Sequence, residues 1–134
     1  MTQVMAGFRD LRVWQSAMSL VEQVYLTTRT FPRHETFGLA SQMQRAGVSV
    51  PSNIAEGHTR AHLAEYLQHI AIAQGSLAEL ETQIEIGNRL GYVSPERSAV
   101  LLLQSAALGR QLYALRNSLA KRKPDTRHLG PDTP

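Results

Sequence analysis

Between Ala61 and Leu90 the chain carries apolar side chains at Tyr66, Ile70, Ala73, Leu77, Leu80 and Ile84, in alternating steps of four and three with no proline to interrupt them. An α-helix gathers that spacing onto one face, whereas a strand scatters it over two. A helix of that length cannot bury its stripe against itself, so it needs partner helices. Upstream, Asp10 is placed to cap a first helix whose Leu11, Trp14, Met18, Val21 and Tyr25 repeat the spacing, ended by Phe31-Pro32. A second helix is predicted from about Glu35 to Gly57. Leu39, Met43, Val50 and Ile54 form its apolar row, Pro51 bends it, and Gly57 suits a left-handed terminus. Gly91-Tyr92-Val93 closes the third helix, and Ser94-Pro95-Glu96 opens a fourth with a cap, a first-position proline and an acidic first turn. Its core stripe is Leu101, Leu108, Leu112, Leu115 and Leu119, and Ala106 and Gly109 leave room for another helix to approach.

Gly and Pro concentrate at these few junctions, and strand-like alternation is absent. The expected fold is therefore all-α, an antiparallel up-down-up-down four-helix bundle over residues 8–123. Residues 124–134, rich in Pro, Asp, Thr and Gly without periodicity, read as a disordered tail. At 134 residues the chain has room for one domain that buries about two-thirds of its unfolded surface.

Several function classes find no support. The chain has no cysteine, which excludes a disulfide framework, thiol catalysis and cysteine-ligated metal, and fits a reducing cytoplasm. The longest aliphatic run, Ala99 to Leu103, is too short to span a membrane, and no signal peptide is visible. The nucleophile elbow, the phosphate-binding loop and the dinucleotide fingerprint are all missing. His34-Glu35 begins a zinc-protease pattern, but Gly38 stands where its second histidine belongs. His58, His62, Glu65 and His69 share a helical face at metal-ligand spacing, yet His58 falls at a helix junction. We expect no metal, no cofactor and no enzymatic activity.

Polar residues are more telling. Gln42, Arg45, Ser49, Ser52, Asn53 and Glu56 fall within about a third of a turn on the second helix, well separated from its apolar row. Short hydrogen-bonding side chains dominate where a solvated face would carry several Lys and Glu. The third helix has a matching second row, Ile72, Ser76, Glu79, Gln83 and Ile86. Gln42, Arg45, Ser49, Asn53, Glu56, Ser76 and Glu79 are therefore expected to form a polar network or interface, and the extra row predicts a homo-oligomer.

Net charge is +3, and twelve of the fourteen basic residues are Arg, the side chain suited to bidentate phosphate contacts. In a bundle, Arg9, Arg12, Arg60, Arg116, Lys121, Arg122 and Lys123 share one end with Asp10, Glu56 and Glu65. The other end balances Arg29, Arg33, Arg89 and Arg97 against Glu35, Glu85 and Glu96. The first end is the candidate nucleic-acid surface.

From Phe8 to about Leu119 the chain resembles the bacterial four-helix-bundle proteins encoded in intervening sequences of 23S ribosomal RNA genes, related to the accessory variability determinant of diversity-generating retroelements. The resemblance rests on Phe8-x-Asp10-Leu11-x-Val13-Trp14-Gln15, Phe31-Pro32-x-x-Glu35-x-Phe37-Gly38-Leu39, Gln42-x-x-Arg45-Ala46, Ser52-Asn53-Ile54-Ala55-Glu56-Gly57 and Gly75-Ser76-Leu77-x-Glu79-Leu80-Glu81 with Gly91-Tyr92. It implies a ring-shaped homopentamer with a proposed nucleic-acid-binding role. The leading expectation is thus an oligomeric module that binds RNA or DNA. A structural or adaptor protein with a protein partner is the alternative.

Overall fold

The structure, a computed structural model, describes residues 7–122. Lys123 and the expected tail, 124–134, lie outside the described residues. Four helices make up the fold: α1 Arg12–Thr28, α2 Leu39–His58, α3 Leu63–Arg89 and α4 Pro95–Ala120. Short 3-10 turns occupy Phe8–Asp10 and Arg33–Glu35, and no strand occurs among the described residues. Successive helices pack on each other and α4 returns to α1, while neither diagonal pair comes into backbone contact. Each helix therefore holds one corner of a four-sided arrangement around a shared core.

The α3 stripe is buried as its spacing requires, from Tyr66 through Ile84. Leu39, Met43, Val50 and Ile54 of α2 and Leu101, Leu108, Leu112 and Leu119 of α4 complete that core, with Leu115 packed at its edge. The hinge between α3 and α4 is fully specified locally. Gly91 adopts φ of 81°, the one positive φ among the described residues. It lets Tyr92 N–H donate to Gly87 O at 2.8 Å and Gly91 N–H to Asn88 O at 3.1 Å, the paired bonds that end a helix over a left-handed residue. Ser94 Oγ then accepts from Arg97 N at 3.1 Å, with Pro95 in the first turn of α4.

The structure corrects the sequence reading at five places. Asp10 does not cap α1: it closes the preceding 3-10 turn, accepting from Gly7 N at 3.4 Å, and α1 begins at Arg12 behind Leu11. The α1 core row is Val13, Ala17, Leu20 and Val24, whereas Met18 and Tyr25 are exposed and Trp14 and Val21 half-buried. Apolar residues cover more of α1 than its core face can take, so periodicity alone does not choose the edge that turns inward. α2 begins at Leu39, where Glu35 Oε1 accepts the Leu39 N–H at 3.0 Å in place of a cap. Gly57 remains helical: it is there because α3 passes close, and a Cβ would lie 2.8 Å from His69 Cβ. Gly109 does face a helix, with Leu77 of α3 3.6 Å from where its Cβ would be, but Ala106 is exposed.

Candidate nucleic-acid interface

Arg9, Arg12, Arg60, Arg116, Lys121 and Arg122 are all exposed. Packing brings the elements that carry them to one end. Phe8 and Ala55 line one groove between the start of α1 and the end of α2. The His58 ring stands edge-on to Tyr66 of α3, with centroids 5.8 Å apart. Burial pushes the Tyr66 hydroxyl pKa up, and Arg122 at the end of α4 is near enough to oppose the rise. Lys123, the seventh expected cation, lies outside the described residues.

Among the described residues, Arg60 alone of these six cations is tied to a carboxylate, meeting Glu56 Oε2 at 2.7 Å across an exposed i, i+4 pair that contributes about 0–1 kcal/mol. Arg9 lies over the Phe8 ring at 4.6 Å, which leaves its edge open, and Arg116 reaches only Asn117 at 3.4 Å. The remaining charges face water. An arginine in that state keeps its planar donor fork available for a phosphate.

Beside this end runs the α2–α3 contact. Ser49 Oγ and Ser76 Oγ are 2.7 Å apart, and Asn53 Nδ2 donates to Ser49 O at 2.9 Å and to its Oγ at 3.1 Å. Asn53 Oδ1 meets His69 Nδ1 at 3.0 Å, and His69 Nε2 lies 4.0 Å from Glu56 Oε2, which holds Arg60. Of the seven residues expected to form a network, Ser49, Asn53, Ser76 and Glu56 are thus brought together. Gln42, Arg45 and Glu79 are exposed, and their side chains make no hydrogen bond or ion pair among the described residues.

His69 and Arg60 are the members that sequence reasoning placed elsewhere. His69 had drawn notice only for its spacing from His58 and His62, although it stands seven residues before Ser76 on the same face. Within this network the two serine hydroxyls bond each other while His69 bonds an amide, so neither Ser49 nor Ser76 is paired with a base as nucleophilic chemistry needs. Among the described residues, no three His, Asp or Glu side chains gather as metal ligands would.

At the opposite end, Arg97 is a tie and not a free charge: its Nε donates to Thr27 Oγ1 at 3.0 Å and its Nη2 to Gln23 Oε1, joining α4 to α1. Glu35 accepts from Leu39 N–H and, at 3.0 Å, from the Tyr92 hydroxyl. Those two donors hold its carboxyl below the ordinary value of 4.5, and the same bond pushes Tyr92 up. The basic end has no comparable commitments.

A family model described as 23S rRNA-intervening sequence protein matches residues 9–114. The chain belongs to that family. The match takes in α1, α2, α3 and α4 as far as residue 114, and stops short of Arg116, Lys121 and Arg122 at the end of α4. No curated protein matches significantly. Among solved structures, the chain is similar to a protein of unknown function from the S23 ribosomal protein family of Bacteroides thetaiotaomicron VPI-5482, solved at 1.70 Å. The TM-score is 0.73 at 19% identity, covering 78% of this chain and 97% of that one. At that identity the likeness shows the fold alone. No helix among the described residues is long and apolar enough to cross a membrane.

Proposed function

We propose that this family member is a non-enzymatic, cytoplasmic, homo-oligomeric module that binds RNA or DNA through its basic end. The observation that carries this is the meeting of Arg9, Arg12, Arg60, Arg116, Lys121 and Arg122, exposed and mostly unpaired, where four helix ends converge. Its helices are antiparallel in the up-down-up-down sense, a geometry supported by the pairing of Ser49 with Ser76 and Asn53 with His69. A homopentameric ring in which all copies share one orientation repeats the cluster around an axis. Multiplicity then builds a positive annulus that one protomer lacks.

Fluorescence anisotropy with labelled RNA and DNA tests the proposal. Binding should tolerate changes of nucleic-acid sequence and weaken by about 0.7–0.9 log units per tenfold rise in salt for each phosphate neutralised. An Arg116→Ala, Lys121→Ala, Arg122→Ala variant should show a shallower slope. No binding at low salt, or a slope indifferent to those substitutions, favours the adaptor alternative, for which the exposed apolar side chains Met18, Tyr25 and Val48 offer a protein-binding surface.

A further inference from the structure

α1 and α3 each carry two rows at three-four spacing, and on each helix one row forms the core while the second leaves large apolar side chains exposed. On α1 the outer row is Leu11, Trp14, Met18, Val21 and Tyr25, standing beside α2, where Val48 and Pro51 continue the apolar surface as a groove. Met18 is 38% and Tyr25 43% exposed. On α3 the second row is Ile72, Ser76, Glu79, Gln83 and Ile86; Gln83 is buried and Ser76 bonds Ser49, while Glu79 is exposed, with Ile72 at 44% and Ile86 at 41%. Spacing of this kind is what a packed partner helix reads, and large apolar side chains left open along it mark a contact surface.

These surfaces adjoin each other. α2 stands between them in the four-sided fold, and in an idealised square bundle two such sides face about a right angle apart. They also differ from each other. One is a groove and the other a ridge, so joining them is a heterologous contact, and faces set about 90° to about 108° apart close rings of four or five copies.

Charge selects a second copy as the occupant. Arg45 lines the α1–α2 side with Tyr25 and Val48, and Glu79 stands on the α3 ridge. Both are exposed and neither has an ion-pair partner among the described residues. In a ring of equally oriented copies, residues meet at equal height, and contacts within the protomer fix those heights. Gly47 lies against Val21 and Val24, and Ser49 bonds Ser76. Met18 and Val48 are therefore level with Ile72 and Ser76, and Tyr25 and Arg45 with Glu79. Apolar meets apolar, and the free cation meets the free carboxylate.

We propose that the α1–α2 groove of each copy receives the second α3 row of the next, with Arg45 facing Glu79 of the partner subunit and α2 at the inner edge of the ring. This rests on the oligomeric reading above, and the experiment separates the two. Light scattering coupled to gel filtration is run on the full chain and on Met18→Asp, Ile72→Asp and Leu103→Asp, the last an exposed α4 site on neither surface. A monomeric wild type overturns both proposals. An oligomeric wild type with Met18→Asp and Ile72→Asp reduced to monomers of unchanged helicity, and Leu103→Asp intact, supports the interface. Oligomers that survive both Asp substitutions overturn the interface and leave the oligomer standing. Should an Asp variant lose helicity, the exposed charges decide: Arg45→Glu and Glu79→Arg should each raise the subunit dissociation constant about tenfold or more, with the double reversal recovering most of it. Failure of that recovery overturns the pairing.

Discussion

Gly57 offers the sharpest test of how closely α2 and α3 pack. A Cβ at that position would lie 2.8 Å from His69 Cβ, 3.0 Å from Tyr66 Cδ1 and 3.4 Å from the Tyr66 carbonyl oxygen. Neither neighbour can swing aside, because His69 Cβ is fixed to the α3 backbone and Tyr66 is buried. Alanine must therefore push the two helices apart, next to the Asn53–His69 hydrogen bond. Overpacking costs about 1–3 kcal/mol, and replacing a helical glycine by alanine returns about 1 kcal/mol of that. The net expectation for Gly57→Ala is a loss of up to about 2 kcal/mol, which lowers Tm by up to about 8 °C in a domain of this size. Gly75, exposed on α3 with nothing within 4 Å of its absent Cβ, is the counterpart. Gly75→Ala should gain about 0.5–1 kcal/mol and raise Tm by about 2–4 °C. Both are read by thermal denaturation followed by circular dichroism, at one protein concentration because assembly makes Tm concentration-dependent. A Gly57→Ala variant melting at or above wild type would refute the close approach of these helices.

Two further predictions concern the opposite end. Glu35 is held below its ordinary pKa by the Leu39 N–H and the Tyr92 hydroxyl, so its contribution to stability is present above about pH 4.5 and is lost as pH falls through the lowered value. Tyr92 is raised by the same bond, so its share is present below pH 10.0 and is lost as pH rises through the raised value. Glu35→Gln should therefore melt below wild type near neutrality, with the gap closing in acid; melts that stay parallel down the acid limb would sink this. Arg97→Met keeps much of the stem but removes the donors to Thr27 and Gln23, leaving the buried Thr27 hydroxyl with its Gln23 carbonyl bond alone, at an expected cost of about 1–2 kcal/mol. Urea denaturation measures it, and an unchanged midpoint would show that the α1–α4 tie contributes nothing.

How far such features can be read from the sequence depends on how local their causes are. The α3 core row and the start of α4 were legible because each is decided within a few residues: a three-four stripe in one case, Ser94 and Pro95 in the other. The start of α2 was not, since Glu35 caps Leu39 across an intervening 3-10 turn that propensity does not announce. On α1 the error is more instructive. Trp14, Met18 and Tyr25 outweigh Val13, Ala17 and Val24 in size, so a search for the most apolar face selects the outer row. The core takes the row with Ala17 at 1% exposure, where a small side chain suits two neighbouring helices. Helix spacing also placed Gln42, Arg45, Ser49, Asn53 and Glu56 in line correctly, yet it carries no information about the α3 register that joins some of them to Ser76 and His69 and leaves the rest bare. What distinguishes the two sets is their position across the helix: Ser49 and Asn53 point between α2 and α3, where a donor without an acceptor would be costly, and are satisfied within the protomer. Arg45 stands farther out, in water, where it needs no internal partner. A charge without a partner is unremarkable alone. Beside Tyr25 and Val48, on the flank of the apolar row that the core declined, it belongs to the surface proposed above to receive a second copy.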